Sequence, residues 1–338
     1  MAGAALPRAA AAALALALAS SAARADEGSI ELPVGGLVLA RSPDVSIEEE
    51  TLSISPDRVS VAYRVVSRAP APVTLALKFA LPDIDLSDAD ADYAIPGSDP
   101  LNFVDFHASV DGRPVRFDGA QRALLDGRDV TGELKAAGLP AALIGADARA
   151  RLAGLAPDAR ARLLEAGLLT QLGADAAGAP IYGPTWTLAT VFTRKHVFAP
   201  GAAVEVEHRY RTSLGGGPDT PLRKGLRETD AISPMVERYR KDYCLNEDFF
   251  RSLDKLAGAS PANEARLKER RIAYALTQGA ASAGPVKSFR LHVDKGRPDR
   301  LVSFCFDNVR KVSPTAFEAQ AENFTPTRDL KILLVGRD

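Results

Sequence analysis

From Val204 to Arg211 the chain alternates without a fault. Val204, Val206, His208 and Tyr210 fall on one side, and Glu205, Glu207, Arg209 and Arg211 on the other. A period of two is the repeat of an extended strand, whose successive side chains leave opposite faces. One packed face and one wet face is the signature of an antiparallel sheet. The pattern recurs. Val59, Val61, Tyr63 and Val65 alternate with Arg58, Ser60, Ala62 and Arg64, after the turn residues Ser55-Pro56-Asp57. Beyond Ala69-Pro70-Ala71-Pro72, the residues Val73, Leu75, Leu77, Phe79 and Leu81 share a face. Val104, Phe106, Ala108 and Val110 lead into Asp111-Gly112, a hairpin signal, with Val115 and Phe117 on the return.

The period changes after Gly119. From Gln121 to Leu172 the chain is rich in Ala, Leu and Arg, broken at Gly138-Leu139-Pro140 and restarted at Ala156-Pro157-Asp158. This predicts short amphipathic helices inserted between strands. Trp186, Leu188 and Phe192 then return to strand spacing. Gly215-Gly216-Gly217-Pro218 predicts a flexible connection. Three helices are expected next, over 233–243, 247–256 and, from the Ser260-Pro261 cap, to Gln278. Strands close the chain around Phe289–Val293, Leu301–Phe306 and Leu330–Val335.

The expected fold is therefore α+β and β-rich, with an antiparallel sandwich-like core, a helical insertion and a C-terminal α+β part. The expected divisions are a signal peptide over 1–25, an N-terminal β-rich part over 26–118, a helical insertion over 119–180, a β-hairpin completing the core over 181–214, and the C-terminal part over 215–338.

The leader rests on Arg8, the Ala/Leu run to Ala19 and the small residues Ala23 and Ala25, so cleavage is expected between Ala25 and Asp26. The run is too short to span a bilayer, and no second one follows. A periplasmic or secreted location is expected. In that compartment the two cysteines, Cys244 and Cys305, are expected to pair. Closing a loop of that length contributes about 4 kcal/mol in the chain-entropy treatment. Formal net charge is −1, with acids and bases interspersed, which argues against a nucleic-acid partner.

No residue set declares a reaction. Asp83, Asp85, Asp88, Asp90, Asp92 and Asp99 form the densest polar cluster. Asp83-x-Asp85-x-Ser87 imitates a calcium loop, but Asp88 stands where glycine is needed and Ala94 where glutamate is. A solvated acidic loop is the favoured reading, with Asp83, Asp85 and Asp88 as weak metal candidates. His107, His196, His208 and His292 lack ligand spacing, and His208 reads as a histidine at the core edge. No G-x-S-x-G elbow or phosphate loop is present. Glu48-Glu49-Glu50 reads as a solvated strand face or turn. Tyr182 and Trp186 are candidate ligand-surface residues, although strand spacing favours core packing for Trp186.

Several short stretches occur in an order that resembles a bacterial secreted family catalogued as domain of unknown function 4424. They are Gly35-Gly36-Leu37, Glu50-Thr51-Leu52-Ser53-Ile54-Ser55, Val61-Ala62-Tyr63-Arg64 and Leu81-Pro82-Asp83-Ile84. Further on come Tyr182-Gly183, Phe198-Ala199-Pro200-Gly201, Asp294-Lys295-Gly296, Ser303-Phe304-Cys305 and Phe324-Thr325-Pro326-Thr327-Arg328-Asp329-Leu330. The resemblance covers nearly the whole mature chain. It departs at Asp26-Glu27, where Asn-Asp is expected, and at Ala281-Ser282, where Asn-Trp is expected before Ala283-Gly284-Pro285. It implies export and a coherent fold, and no activity.

The functional expectation is an exported, non-enzymatic binding or interaction module of the cell envelope, without a cofactor. Its partner would be an envelope protein, peptide or small molecule, and the mature chain would hold no transmembrane span. The alternatives are an exported hydrolase using carboxylates of the Asp83–Asp99 loop and a structural envelope protein working through a sheet edge.

Overall fold

The computed structural model describes residues 28–40, 42–145, 147–258, 264–278 and 284–337. The leader with its Ala25/Asp26 junction, the Ser260-Pro261 cap and the Ala281-Ser282 departure lie outside these residues.

The faultless alternation becomes strand Ala203–Arg211, in which every second residue is buried from end to end. It pairs antiparallel with Arg58–Ser67 on one side and His107–Val110 on the other. Arg58–Ser67 pairs in turn with Val45–Ile54, which runs parallel to Val286–Asp294. Ala316–Phe324 and Arg310–Lys311 extend this sheet at one end and Arg113–Val115 at the other, giving eight strands. The expected Asp111-Gly112 turn is present, with both residues at positive φ (49° and 72°), as a two-residue hairpin of this hand requires.

A six-stranded sheet packs against it, built on Thr187–Phe198 between Val73–Ala80 and Asp118–Leu125. Aromatic rings fill the space between the two. Phe79 stacks on Phe106 with ring centroids 4.0 Å apart and also meets Tyr210 at 5.5 Å, and Phe106 meets Phe192 at 5.5 Å. Each such ring buried in full contributes roughly 2–3 kcal/mol by area alone. Helices Thr131–Ala136, Ala148–Ala153 and Pro157–Glu165 insert Leu134, Leu152 and Leu163 into this same core.

A four-stranded sheet, in the order Gly215–Gly217, Lys268–Tyr274, Leu330–Gly336, Leu301–Phe304, joins the sandwich to helices Ser233–Tyr243 and Glu247–Ala257. Within Leu330–Gly336, the run 332–335 is apolar without alternation because both its faces are covered. Ile332 and Leu334 belong to the sandwich core, whereas Leu333 and Val335 pack with Val236, Phe250 and Leu253 beneath the helices. Cys244 caps the Ser233–Tyr243 helix in the left-handed conformation (φ 52°) and is disulfide-bonded to Cys305, just beyond Leu301–Phe304. The cross-link thus ties the helical layer to the sheet.

Four local expectations are corrected. Asp118–Leu125 is a strand where helical spacing was expected from Gln121, because seven of its residues pair along Thr187–Thr193. Lys268–Tyr274 is a strand where the third helix was expected. Its pattern is obscured by Glu269, a charged residue that points inward and is only 2% exposed. Gly215–Gly217 is an edge strand rather than a free connection, with Gly216 at φ 133° and a Cβ there colliding with the Glu269 backbone. The fourth is Glu50, described below. No helix among the described residues is long and apolar enough to cross a membrane.

Candidate functional site

The outer face of the eight-stranded sheet carries three rows of side chains across its central strands, and the rows differ in charge logic. In the first, Glu49, Arg64 and Glu205 lie in register, and Arg64 bridges both acids at 3.5 and 3.8 Å. In the second, Thr51, Ala62, Glu207 and Ser109 are aligned. In the third, Ser53, Ser60, Arg209 and His107 are aligned. Beyond that row, Arg58 and Arg211 stand directly opposite one another. Like charges facing across an antiparallel pair are destabilising.

The second and third rows floor an open groove of about 920 Å³. Its floor is small and hydroxylated because Thr51, Ser53, Ser60 and Ser109 occupy outward positions of strands whose inward positions are apolar. Its wall is made where the chain leaves the sheet after Arg113–Val115, bringing Arg116 and Phe117 over the floor. Phe117 meets Phe106 edge-on at 5.4 Å. Arg58, Arg116 and Arg209 line the groove, and their guanidinium groups make no ion pair or hydrogen bond among the described residues. Glu207 is the one acidic side chain that lines it among those residues.

A second concavity, about 610 Å³, runs beside the disulfide and Phe304, Phe306 and Phe324. Three of its four charged side chains are engaged: Arg328 donates to the backbone oxygen of Lys241 at 3.1 Å, Asp329 accepts from the Thr277 hydroxyl at 2.7 Å and Glu322 accepts from the Ser288 hydroxyl at 3.2 Å. A groove whose charges are mostly satisfied internally, and whose one free charge among the described residues is the acidic Asp307, offers a ligand less than one lined by several free guanidinium groups.

Glu50, part-buried at the surface, occupies a separate, narrow crevice of about 20 Å³, room for about one water molecule. The register of Val45–Ile54 against Arg58–Ser67 slips between Ile47 and Glu49, so Glu48 is the extra residue of a β-bulge. The slip moves Glu50 onto the inward face with Leu52 and Ile54. This corrects the expectation of a solvated acidic run. Glu49 does face solvent, and Glu48 pairs with Arg68 and Lys287, but Glu50 makes no hydrogen bond or ion pair among the described residues. Burial pushes its carboxyl from 4.5 up to about 7. Tyr63 and Tyr274 wall the crevice, with the Tyr274 hydroxyl donating to Tyr63. The Leu37 backbone N–H donates to the Tyr63 hydroxyl at 3.0 Å. Four stretches of the sequence resemblance meet here, through Gly36, Glu50, Tyr63 and Phe324.

The buried charge of Glu269 is fully partnered. It accepts from Thr220, Tyr239 and Arg271, each at 2.7 Å, and Arg271 also reaches Glu31 at 3.0 Å. Burial is the largest influence on Arg271 and opposes its charge, but Glu31 and Glu269 outweigh it and hold the guanidinium above its ordinary value. This network clamps the segment at Ser29–Glu31 to the four-stranded sheet.

The residues singled out by sequence are scattered. Asp83, Asp85, Asp88, Asp90, Asp92 and Asp99 are all exposed. Asp85, Asp88 and Asp99 accept from backbone N–H groups two residues on, as turn-capping aspartates do. No group of three or more His, Cys, Asp or Glu among the described residues is placed to hold a metal ion. Trp186 is fully buried and donates its indole N–H to the Ala141 oxygen at 2.8 Å, so it offers nothing to a ligand at the surface. Tyr182 is half-buried beneath Arg160, whose guanidinium lies 5.1 Å from the ring centroid. His107 bonds Asp105 at 3.0 Å and His292 lies 3.4 Å from Glu318. His196 packs edge-on against Phe198, and His208 is buried among Tyr63, Phe79, Phe106 and Tyr210. Sequence reading missed the groove-lining Arg58, Arg116 and Arg209, the adjacent Arg211, and Glu50. The even spacing of Arg209 and Arg211 on a wet face was the available signal for the first group.

A family model described as a domain of unknown function (DUF4424) matches residues 25–333. No curated protein matches the chain. Among solved structures, the chain is similar to a candidate nutrient-binding protein from Legionella pneumophila, at 12% identity over 91% of this chain and 72% of that one, with a TM-score of 0.46. It is also similar to an M1 zinc metallopeptidase from Deinococcus radiodurans, at 11% identity over 87% of this chain and 43% of that one, with a TM-score of 0.25.

Proposed function

The chain belongs to the family described as domain of unknown function (DUF4424), and from that premise we propose that it works as an exported, non-enzymatic binding module of the bacterial cell envelope. Its ligand surface is the groove on the outer face of the eight-stranded sheet. The observation that carries this reading is the contrast within one sheet face: the Glu49–Arg64–Glu205 row is charge-paired, while the neighbouring groove presents guanidinium groups without partners. Export is supported by the leader-like start and by the disulfide, a bond that persists in oxidising compartments.

The geometry favours this reading over the alternatives. A hydrolase built on the Asp83–Asp99 loop needs paired carboxylates converging on a substrate, and these six face solvent. A structural protein that works through strand addition needs a long free edge. The outermost strands of the large sheet are Arg310–Lys311 and Arg113–Val115, two and three residues long, charged, and in the second case interrupted by Pro114. Pairing with Arg310–Lys311 leaves the short stretch 319–324 of the next strand without a strand partner on its outer side among the described residues.

Affinity capture from the periplasm of the native cell, with mass spectrometry of retained small molecules and proteins, tests the proposal. Wild type is expected to retain a ligand that Ser60→Trp, which fills the groove floor, releases at unchanged thermal stability. Equal retention by both proteins would remove the groove from the account. Amino-terminal sequencing of the exported protein is expected to begin at Asp26.

A further inference from the structure

We infer that the groove recognises an anionic saccharide, with the arginines of its basic end holding the acidic groups and the hydroxylated floor holding the sugar hydroxyls. The inference rests on the groove being the ligand surface and adds the chemistry of what lies in it.

Three observations point the same way. Arg58 and Arg211 are in direct register on adjacent strands, and Arg209 lies two residues from Arg211 on the same outward face. Holding guanidinium groups this close without an acid costs stability. The cost is avoidable, since the same two strands pair Arg64 with Glu205. An anion bound across the arginines removes the repulsion and gains charge-assisted, bidentate hydrogen bonds, for which the planar guanidinium is suited. Arg116, arriving from the wall, adds a further positive group from another direction.

The rest of the groove fits a saccharide better than a bare anion. Thr51, Ser53, Ser60, Ser109 and Asn102 offer donors and acceptors over the width of four adjacent strands. At a strand spacing of roughly 4.8 Å that width is about 14 Å, several times the size of a phosphate ion. Phe117 and Phe106 provide apolar surface at the wall, against which the C–H face of a sugar ring can lie. Glu207, opposite Ala62 and Ser109 in the row next to Arg209, supplies an acceptor for sugar hydroxyls one row away from the Arg58–Arg211 pair.

The test uses the mature chain from Asp26 with trigalacturonic acid, its neutral methyl ester and inorganic phosphate as calorimetric probes. The triacid is expected to bind at least roughly tenfold more tightly than the ester, with affinity falling as salt rises. Arg209→Ala and Arg58→Ala are each expected to weaken the triacid by about tenfold or more, whereas Arg251→Ala, on an exposed helix, leaves it unchanged. Equal affinity for acid and ester, or arginine variants that bind like wild type, would overturn the inference. So would phosphate binding as tightly as the triacid, or no binding of either saccharide at millimolar concentration. Ser60→Trp and Ser109→Trp separate the two readings. If both abolish binding while acid and ester bind equally, the groove stands and its anion selectivity falls. If acid binding survives both, the groove itself is the wrong surface.

Discussion

Glu50 stands directly across from Tyr63 on the adjacent strand, turned inward by a bulge at Glu48. The pair places an unpartnered carboxyl against a phenol that already accepts a hydrogen bond from Leu37. A carboxyl in that position is most stable when protonated, which makes the stability of the whole sandwich depend on pH.

Because burial raises Glu50 from 4.5 to about 7, the native state holds a proton that the unfolded chain releases. The contribution is complete below 4.5 and is lost as pH rises to about 7, to an extent of about 3 kcal/mol. Glu50→Gln, which cannot ionise, is expected to match wild type at pH 4.5 and exceed it at pH 8. Urea midpoints of both proteins at the two pH values check this, and parallel pH curves would show that Glu50 ionises freely.

His208 acts in the opposite sense. Burial lowers it from 6.5 to about 3, and neither ring nitrogen has a partner among the described residues. The unfolded chain therefore binds a proton that the native state refuses, so stability is complete above 6.5 and is lost as pH falls towards 3. Replacement by Phe, which keeps the ring contacts with Phe79 and Phe106, is expected to flatten the acid limb of the stability curve. Thermal melts between pH 3 and 7 measure it. An unchanged acid limb would count against a buried neutral imidazole.

Gly36 lies where a Cβ would strike the Tyr63 hydroxyl and come within 2.8 Å of the Tyr274 hydroxyl. Neither ring can retreat, since both are buried and bonded to each other. Gly36→Ala is expected to cost about 1–3 kcal/mol, the range for overpacking. Gly112→Ala, where a Cβ meets nothing within 4 Å, costs only the backbone strain of its φ of 72°. Chemical denaturation of the two variants compares space against strain.

Removing the disulfide with Cys244→Ser and Cys305→Ser is expected to lower stability by about 2–5 kcal/mol. The loss falls on the interface between the Ser233–Tyr243 helix and Leu301–Phe304, because the bond joins their ends. Hydrogen exchange is expected to rise there first, with the strand Ala203–Arg211 still protected. Uniform loss of protection would mean that the two cores unfold as one.

The strand alternations at Arg58–Ser67 and Ala203–Arg211 were legible because a sheet with one wet face imposes its period on every residue. Lys268–Tyr274 was not legible, because Glu269 sits inward and its burial is made tolerable by Thr220 and Tyr239, from separate segments, together with Arg271 two residues along the same strand. Asp118–Leu125 hid its strand character for a related reason: Ala, Leu and Arg favour helix locally, and pairing with Thr187–Thr193 overrides the preference.

By itself, the sequence determined the class of the fold and the core-facing residues of its most regular strands, Arg58–Ser67, Val73–Ala80 and Ala203–Arg211, since these follow from local period. It also singled out the two cysteines that pair. Only the tertiary structure decided the inward turn of Glu50, through a one-residue slip in pairing that leaves no mark on composition. It alone set Arg58 opposite Arg211 and brought Arg116 into the same groove as Arg58 and Arg209. Register between strands far apart in the chain is fixed by their joint packing, so the charge rows that make the groove exist only once the sheet is assembled.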